Sequence, residues 1–500
     1  MSPYLSSHPA EDHDAKPNDL RENFPFIEED PLTVPSSEDP FTITTATGFL
    51  PLRTPLINLP APFLPLTKLA DELPVKKLDG SPGLLATFQL GPVIDKGEAL
   101  PDLVDEIDSL VTADGKPDLD AVTAVFREYA FIASSYLLEP CWERWCQGLE
   151  GYGLGRPVLP KVVAGPLVKT AKMLDIHPFM AYAAAYTLYN YRFENNSIGL
   201  DEYKNLRLIR AFQHGLDPSS SEAGFVLTHL DMVKHTGGLI KGTTDILNGI
   251  STGSDRDHVV AGLETMLQSM RLIEASMETM WENSRPKDYN TYRTFIFGIK
   301  NQSMFPDGVI YEGQLDGRPQ YFRGESGAND SIIPLIDSLL QIPMPANPLT
   351  EILKDFRSYR PKPHRDFLAY VRSRAEALGV RDYFCGNVDT AVLYLRLLDH
   401  VRSFRWRHWL FAREYIIKLS KHPTATGGSP IVTWLPNQLL AVMDLMAHVW
   451  GEIGPEDRAK QPKFVIEMME NAADQRTKLD KEVAKYCQER QVPNERLIST

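Results

Sequence analysis

The histidines are the first place to look for chemistry in this chain, because imidazole both ligates metals and exchanges protons near neutral pH. Of twelve, His8 and His13 fall in a polar, acidic N-terminal stretch and are expected in solvent. His408 is different. Counting by three and four along Asn387 to Lys421 puts Leu397, Val401, Phe404, His408, Phe411, Ala412 and Tyr415 on one helical face. An imidazole in the middle of an apolar face needs a partner, since burying a bare ring nitrogen is costly. Either a hydrogen bond within the core or a metal ion kept dry by the apolar neighbours meets that need. His229 poses the same choice, with Phe225, Val226, Met232 and Val233 around it. Arg293, among the aromatics of DYNTYRTFIFG, is a stacked or snorkelling cation or a clamp for a ligand carboxylate. Two glycine-rich stretches, FRGESGANDS and TATGGSP, are plain turns or places where backbone approaches a ligand closely.

Other chemistries lack their signatures. There is no HExxH, no CxxC pair and no GxSxG. The run GYGLGRP lacks the strand-turn-helix setting of a dinucleotide site, and its proline argues for a loop. A net charge of -14 opposes a nucleic-acid surface, which needs clustered Lys and Arg, and opposes anionic membranes for the same reason. Four cysteines in 500 residues are too sparse for a disulfide framework. Cys141 and Cys146, about 7.5 Å apart along a helix axis, are read as reduced thiols. The weakly polar stretch Pro178 to Leu188 is too short to span a bilayer, and a cytoplasmic location is expected.

The elements that must position these residues are mainly helical. Residues 1 to about 60 show no sustained period and read as irregular or loosely tethered, with 1–40 a flexible segment. LLATFQL at Leu84 to Leu90 reads as a strand. Helices are expected over Asp118 to Trp145, within Leu167 to Tyr191 with a break at His177-Pro178, and over Glu222 to His235, Asp255 to Asn283, Pro363 to Leu378, Asn387 to Lys421, Leu435 to Trp450 and Pro462 to Arg490. The expected architecture is a small mixed domain over 41–216 and a large all-helical domain over 217–500.

Over most of residues 155 to 432 the chain resembles the indoleamine 2,3-dioxygenase family. RHWLFAREYI at Arg407 to Ile416 is similar to the segment carrying that family's proximal heme histidine, and ATGGSP at Ala425 to Pro430 to its mobile Thr-Gly-Gly loop. DGVIYEG, GESGANDS, RSYRPKPHRDFL and LDIHPFMAYAAAYTLYNY match further blocks in the same order. The resemblance implies heme b, with His408 on the iron and its other ring nitrogen held by a neighbour. It implies that Arg405, paired with Asp337, lies near a propionate, and that Ser326 and Gly327 lie over the heme. On the oxygen-binding side it implies Tyr182, Phe225, His229 and Tyr289 as pocket residues, Arg293 as the carboxylate clamp and Thr426 as the threonine that closes on the substrate. The implied partners are O2 and L-tryptophan or a related indoleamine, giving N-formylkynurenine. A monomer is the default expectation.

Three positions depart from the family pattern. His229 stands where other branches carry a small hydroxyl residue, Asp288 where others carry an aromatic, and the interval from Tyr182 to Asn190 is one residue longer. These departures leave open a heme oxygenase acting on another indole or aromatic compound, and beside it a heme-binding protein without turnover.

Overall fold

The computed structural model describes residues 20–214, 217–253, 256–494 and 496; His8 and His13 lie outside them. The longest N-terminal helix, α1 (Leu119–Cys146), begins where Asp118 accepts a hydrogen bond from the Ala121 amide, a side-chain cap on an otherwise orphan donor. Its residues are buried on every side from Asp120 to Glu139, so it is a central helix rather than an amphipathic one. The charges it carries inward are paired: Arg127 with Glu128, Glu128 with Arg210, and Glu139 with Arg156. Pro140 deprives the Tyr136 carbonyl of its helical donor, and the Arg156 guanidinium takes that place.

Around α1 pack α2 (Lys161–Met173) and a π-helical turn, Tyr182–Tyr186. Strands are few and short. β1 (Val158–Leu159) pairs in parallel with the distant Ile310–Tyr311, and β2 (Tyr191–Phe193) pairs antiparallel with β3 (Leu206–Leu208). LLATFQL is not a strand. It forms a helical turn, Leu84–Thr87, a left-handed Phe88 (φ 55°) and the start of another helix at Leu90. Leu and Ala favour helix, and a short apolar run carries too little periodicity to decide.

The segment from Leu20 to residue 60 is irregular, as expected, but it is not loose. Ile27, Val34, Phe41, Ile43, Phe49 and Leu50 are buried, Phe24 sets its ring edge-on to Phe367 and Tyr370, and the Phe49 amide donates to Thr236 Oγ1 at 2.9 Å. Irregular backbone can be buried when turns and side chains satisfy its polar groups.

From Ser221 onward the chain is a helical bundle: α3 (Ser221–Val233), α4 (Gly237–Thr252), α5 (Arg256–Glu278), α6 (Pro286–Arg293), α7 (Ile332–Leu339), α8 (Lys362–Leu378), α9 (Val388–Phe411), α10 (Trp434–Glu452) and α11 (Lys463–Arg490). α5 packs against both α3 and α9 and so sets the distance between them. The helix expected to run unbroken to Lys421 instead turns π-helical over Ala412–Ile417. One hydrophobic core runs through both halves of the chain. All four cysteines are free, Cys141 buried and Cys146 exposed. Among the described residues, no helix is long and apolar enough to cross a membrane.

Candidate functional site

Two half-uncovered stripes face each other. On α9, Leu397, Val401, Arg405 and Trp409 are buried, whereas Phe404, His408 and Phe411 keep accessible surface. On α3, Phe225 and His229 do the same between buried neighbours. His408 is enclosed enough that burial, and next the charge of His229, lower its pKa to about 4. It is therefore a neutral imidazole at pH 7. The neighbour expected to hold its second nitrogen is not there: among the described residues neither ring nitrogen of His408 is hydrogen-bonded.

His229 is fixed by its own helix. Its Nδ1 lies 2.8 Å from the Phe225 carbonyl oxygen. A carbonyl only accepts, so Nδ1 carries the proton, and burial lowers the ring's pKa. The neutral ring therefore presents the lone pair of Nε2, which lies 3.6 Å from where a Cβ on Gly327 would stand. The rings of Phe225 and Tyr182 flank it, with centroids 4.8 and 6.1 Å away. Tyr289 completes this wall 5.5 Å from Phe225.

The π turn brings Tyr182 in. A π turn is how a helix absorbs one extra residue, which accounts for the longer interval to Asn190. The Tyr182 hydroxyl donates to Asp330 Oδ2 at 3.0 Å, and that of Tyr186 to Glu222 Oε1 at 3.3 Å. Glu222 also accepts the Phe212 and Gln213 amides, yet burial raises its pKa to about 7.

Arg293 is fully buried at the end of α6. Nη2 donates to the Thr424 carbonyl at 3.1 Å, and the guanidinium lies over the Phe297 ring. Nε and Nη1 have no partner, an expensive state for a buried cation. His422 stands nearby. Burial, then the charge of Arg293, lower its pKa to about 4 and keep it neutral.

The two glycine-rich stretches form one wall. Gly298 and Gly324 meet backbone to backbone: a Cβ on either would fall 2.0–2.2 Å from the other's amide nitrogen. The loop expected to be mobile is held shut here. Gly298 N donates to Thr426 O, Gln302 Nε2 to Ala425 O, and Arg323 Nη1 to Gly427 O. Thr426 Oγ1 donates to the Glu325 carbonyl at 2.6 Å. Ser326 caps the turn Gly327–Asn329 by accepting from Ala328 N at 3.2 Å.

Arg405 and Asp337 are paired at 2.5 Å, both nearly buried, and Asp337 Oδ1 remains unpartnered. Asp337 also borders a cavity of about 1640 Å³ between α8 and the segment around Phe24, which no other predicted site residue lines. Asp288 does not enter the pocket. Its Oδ2 accepts from Ser221 Oγ and Arg285 Nε at the start of α6. In the same loop Glu325 is buried, and its Oε1 has no partner.

Such residues fit a metalloporphyrin. His408 offers a neutral, uncommitted donor on an apolar stripe, and a second such stripe faces it. Among the described residues no group of three or more His, Cys, Asp or Glu could hold a metal ion. The fold and the site thus define a helical protein with two neutral histidines on facing helix stripes and a buried arginine that keeps two unpartnered nitrogens. The family model for indoleamine 2,3-dioxygenase matches residues 37–450. A protein of Saccharomyces cerevisiae named indoleamine 2,3-dioxygenase is 27% identical over 319 residues, 60% of this chain and 66% of that one. A Fusarium equiseti protein named 6-hydroxytryptophan 2,3-dioxygenase is 28% identical over 385 residues, covering 75% and 84%. Indoleamine 2,3-dioxygenase 1 of Mus musculus is 26% identical over 381 residues, with the same coverage. The chain belongs to the indoleamine 2,3-dioxygenase family, a family of oxidoreductases.

Proposed function

We propose that the protein is a heme-dependent dioxygenase that opens the indole C2–C3 bond of L-tryptophan, or of a close indoleamine relative, yielding N-formylkynurenine from tryptophan. The observation that carries this reading is the buried Arg293 with two unpartnered nitrogens, linked by way of Tyr289, Phe225 and His229 to the uncommitted His408. Heme b bound at His408 supplies the binding and activation of O2. Both oxygen atoms end in the product, one on each former ring carbon, so turnover consumes no external electrons.

The chain's own residues bind and orient. Arg293 pairs with the substrate carboxylate through Nε and Nη1. The Thr426 hydroxyl, whose proton is committed to the Glu325 carbonyl, keeps lone pairs for the substrate ammonium group. His229, held as the Nδ1–H tautomer, accepts the indole N–H at Nε2 and does not donate to oxygen. Phe225, Tyr182 and Tyr289 exclude water, with Ser326 and Gly327 beside them. The Arg405–Asp337 pair holds a propionate. Residues 41–216 serve as the cover of the oxygen-binding side and 217–500 as the heme-binding body, in a cytoplasmic monomer. The Fusarium equiseti relative's name brings ring-hydroxylated tryptophans into the substrate range to be tested.

The test is incubation of the purified, reduced, heme-loaded protein with L-tryptophan, its hydroxylated derivatives and O2. Formation of the ring-opened formyl product is expected; its absence with every indole refutes the reading. The His408→Ala variant is expected to lose the intense heme absorption band, and an unchanged spectrum would remove His408 from the iron.

A further inference from the structure

The last helix, α11 (Lys463–Arg490), lies beyond residues 37–450, the stretch that the family model matches, yet it backs the helix that carries His408. The two run parallel. Gln475 Oε1 accepts from Arg402 Nη1, and seven residues further along both helices Glu482 Oε2 accepts from Trp409 Nε1 at 2.9 Å. That interval is about two turns, so both contacts fall on one face of each helix. Glu482 Oε1 also takes Arg413 Nη1 at 2.9 Å, and the Tyr486 ring meets Trp409 edge-on at 6.2 Å. Trp409, the neighbour of His408, is fully buried.

α11 reaches further than α9. Where α9 has passed through its π turn and ended, Arg490 meets the chain that leads into the Thr-Gly-Gly loop. Its Nη2 donates to the Ile417 and Ser420 carbonyls, both at 2.6 Å, and Nη1 to the His422 carbonyl at 3.4 Å. No backbone amide among the described residues donates to these three carbonyls. Carbonyls at and just past a helix end lack helical donors and face the negative end of the helix dipole, so a guanidinium is a fitting cap. Here it comes from another helix. The segment so held is tied to the carboxylate clamp. His422 Nε2 lies 2.9 Å from Gln302 Oε1, which also accepts from Thr424 Oγ1 at 2.9 Å. The Thr424 carbonyl takes Arg293 Nη2. The Phe297 ring meets His422 edge-on at 5.2 Å and lies 4.8 Å under the Arg293 guanidinium.

We propose that α11 is a positioning arm of the binding site: Arg490 fixes the stem of the Thr-Gly-Gly loop, Ile417 to His422, and so sets Thr424 and Thr426 where Arg293 and the Thr426 hydroxyl grip one amino-acid ligand together. The proposal rests on the substrate reading above and adds to it a residue that touches no ligand. The tip of the loop has its own holds on the body, from Gly298, Gln302 and Arg323. The stem has Arg490. Released from that guanidinium, three carbonyls turn to water, and the stem gains conformations that must be given up again whenever a ligand binds. With Arg490 in place that ordering is already done, and affinity is higher for it.

The test is equilibrium binding to the heme-loaded full chain without O2, read from the change in heme absorption, for L-tryptophan and its 5-hydroxy and 6-hydroxy derivatives. Arg490→Met is expected to raise Kd on the order of 10-fold for each ligand that wild type binds. The heme band itself should not move, because His408 is untouched. Arg490→Lys keeps a cation for one or two of the carbonyls and is expected to fall between the two, a rise of a few-fold; it decides the matter should the Met variant not fold. Gln475→Ala is the control, since it removes a hydrogen bond between the same two helices but away from the loop. It is expected to lower the thermal midpoint and leave Kd alone. A Kd unchanged in both Arg490 variants overturns this proposal alone. So does an equal rise in Gln475→Ala, which would make α11 a general support of the fold. Wild type that binds none of the three ligands overturns both the proposal and the reading beneath it.

Discussion

Replacing Arg293 separates a binding role from a structural one, because the two predict opposite changes. In Arg293→Met the fold loses one hydrogen bond, to the Thr424 carbonyl at 3.1 Å, and one cation–π contact with Phe297. Together these are worth about 2–4 kcal/mol. It also loses a buried guanidinium with two unsatisfied nitrogens, whose desolvation costs several kcal/mol. The terms oppose each other, and the thermal midpoint is expected to stay or rise. Substrate binding moves the other way. Breaking a desolvated carboxylate–guanidinium pair costs about 2–5 kcal/mol, a rise in Kd of about 30-fold to several thousand-fold. The assay is titration of wild type and variant with tryptophan and with tryptamine, which lacks the carboxylate. Tryptamine is expected to bind both proteins alike, and as weakly as the variant binds tryptophan. A lowered midpoint with an unchanged Kd for tryptophan refutes the clamp and makes Arg293 a brace for the Thr424 loop.

Three further outcomes follow from the same geometry. Asp337→Asn leaves the Arg405 charge buried beside a neutral amide and is expected to lower unfolding free energy by about 3–5 kcal/mol in denaturant titration, with weaker heme retention. Gly428→Ala puts a Cβ 2.3 Å from the Lys300 carbonyl at a φ of +80°, so the Thr-Gly-Gly loop must shift; a Kd for tryptophan raised at least several-fold is expected, with a smaller loss of stability. The pH profile of stability should be nearly flat from about pH 4.5 to 6.5 and fall from there to about 8. In the lower window two sets oppose each other: the unfolded chain protonates histidines that the fold keeps neutral, His177 and His422 at about 4 and His364 at about 3, while it releases carboxyl protons that the fold retains on Glu222 and Asp39 to about 7 and on Glu325 to about 8. Above about 6.5 both states hold the histidines neutral, and the retained carboxyl protons alone set the slope. Glu325→Gln should flatten the decline of the thermal midpoint between pH 7 and 8.

What could be read from the chain in advance was whatever repeats with a period. The stripe Phe404, His408, Phe411 was visible because a helix returns to the same face every three or four residues, and the structure leaves that stripe half-covered. The π turns over Tyr182–Tyr186 and Ala412–Ile417 were not visible, since a π turn changes the period for a few residues only. Asp288 shows the limit of reading by position. An acid where relatives carry an aromatic looked like a change of pocket, but the first turn of α6 and Ser221 claim that carboxylate, and Tyr289 beside it supplies the wall. The buried irregular segment from Leu20 and the orphaned Glu325 were silent for a related reason. Whether an acid in a glycine-rich loop is solvated or sealed depends on residues far away in sequence, here Tyr182, Tyr186 and Tyr289. An imidazole on a half-covered helix face can therefore be found from a pattern, whereas a sealed carboxyl such as Glu325 has to be found from the absence of a hydrogen bond among the described residues around it.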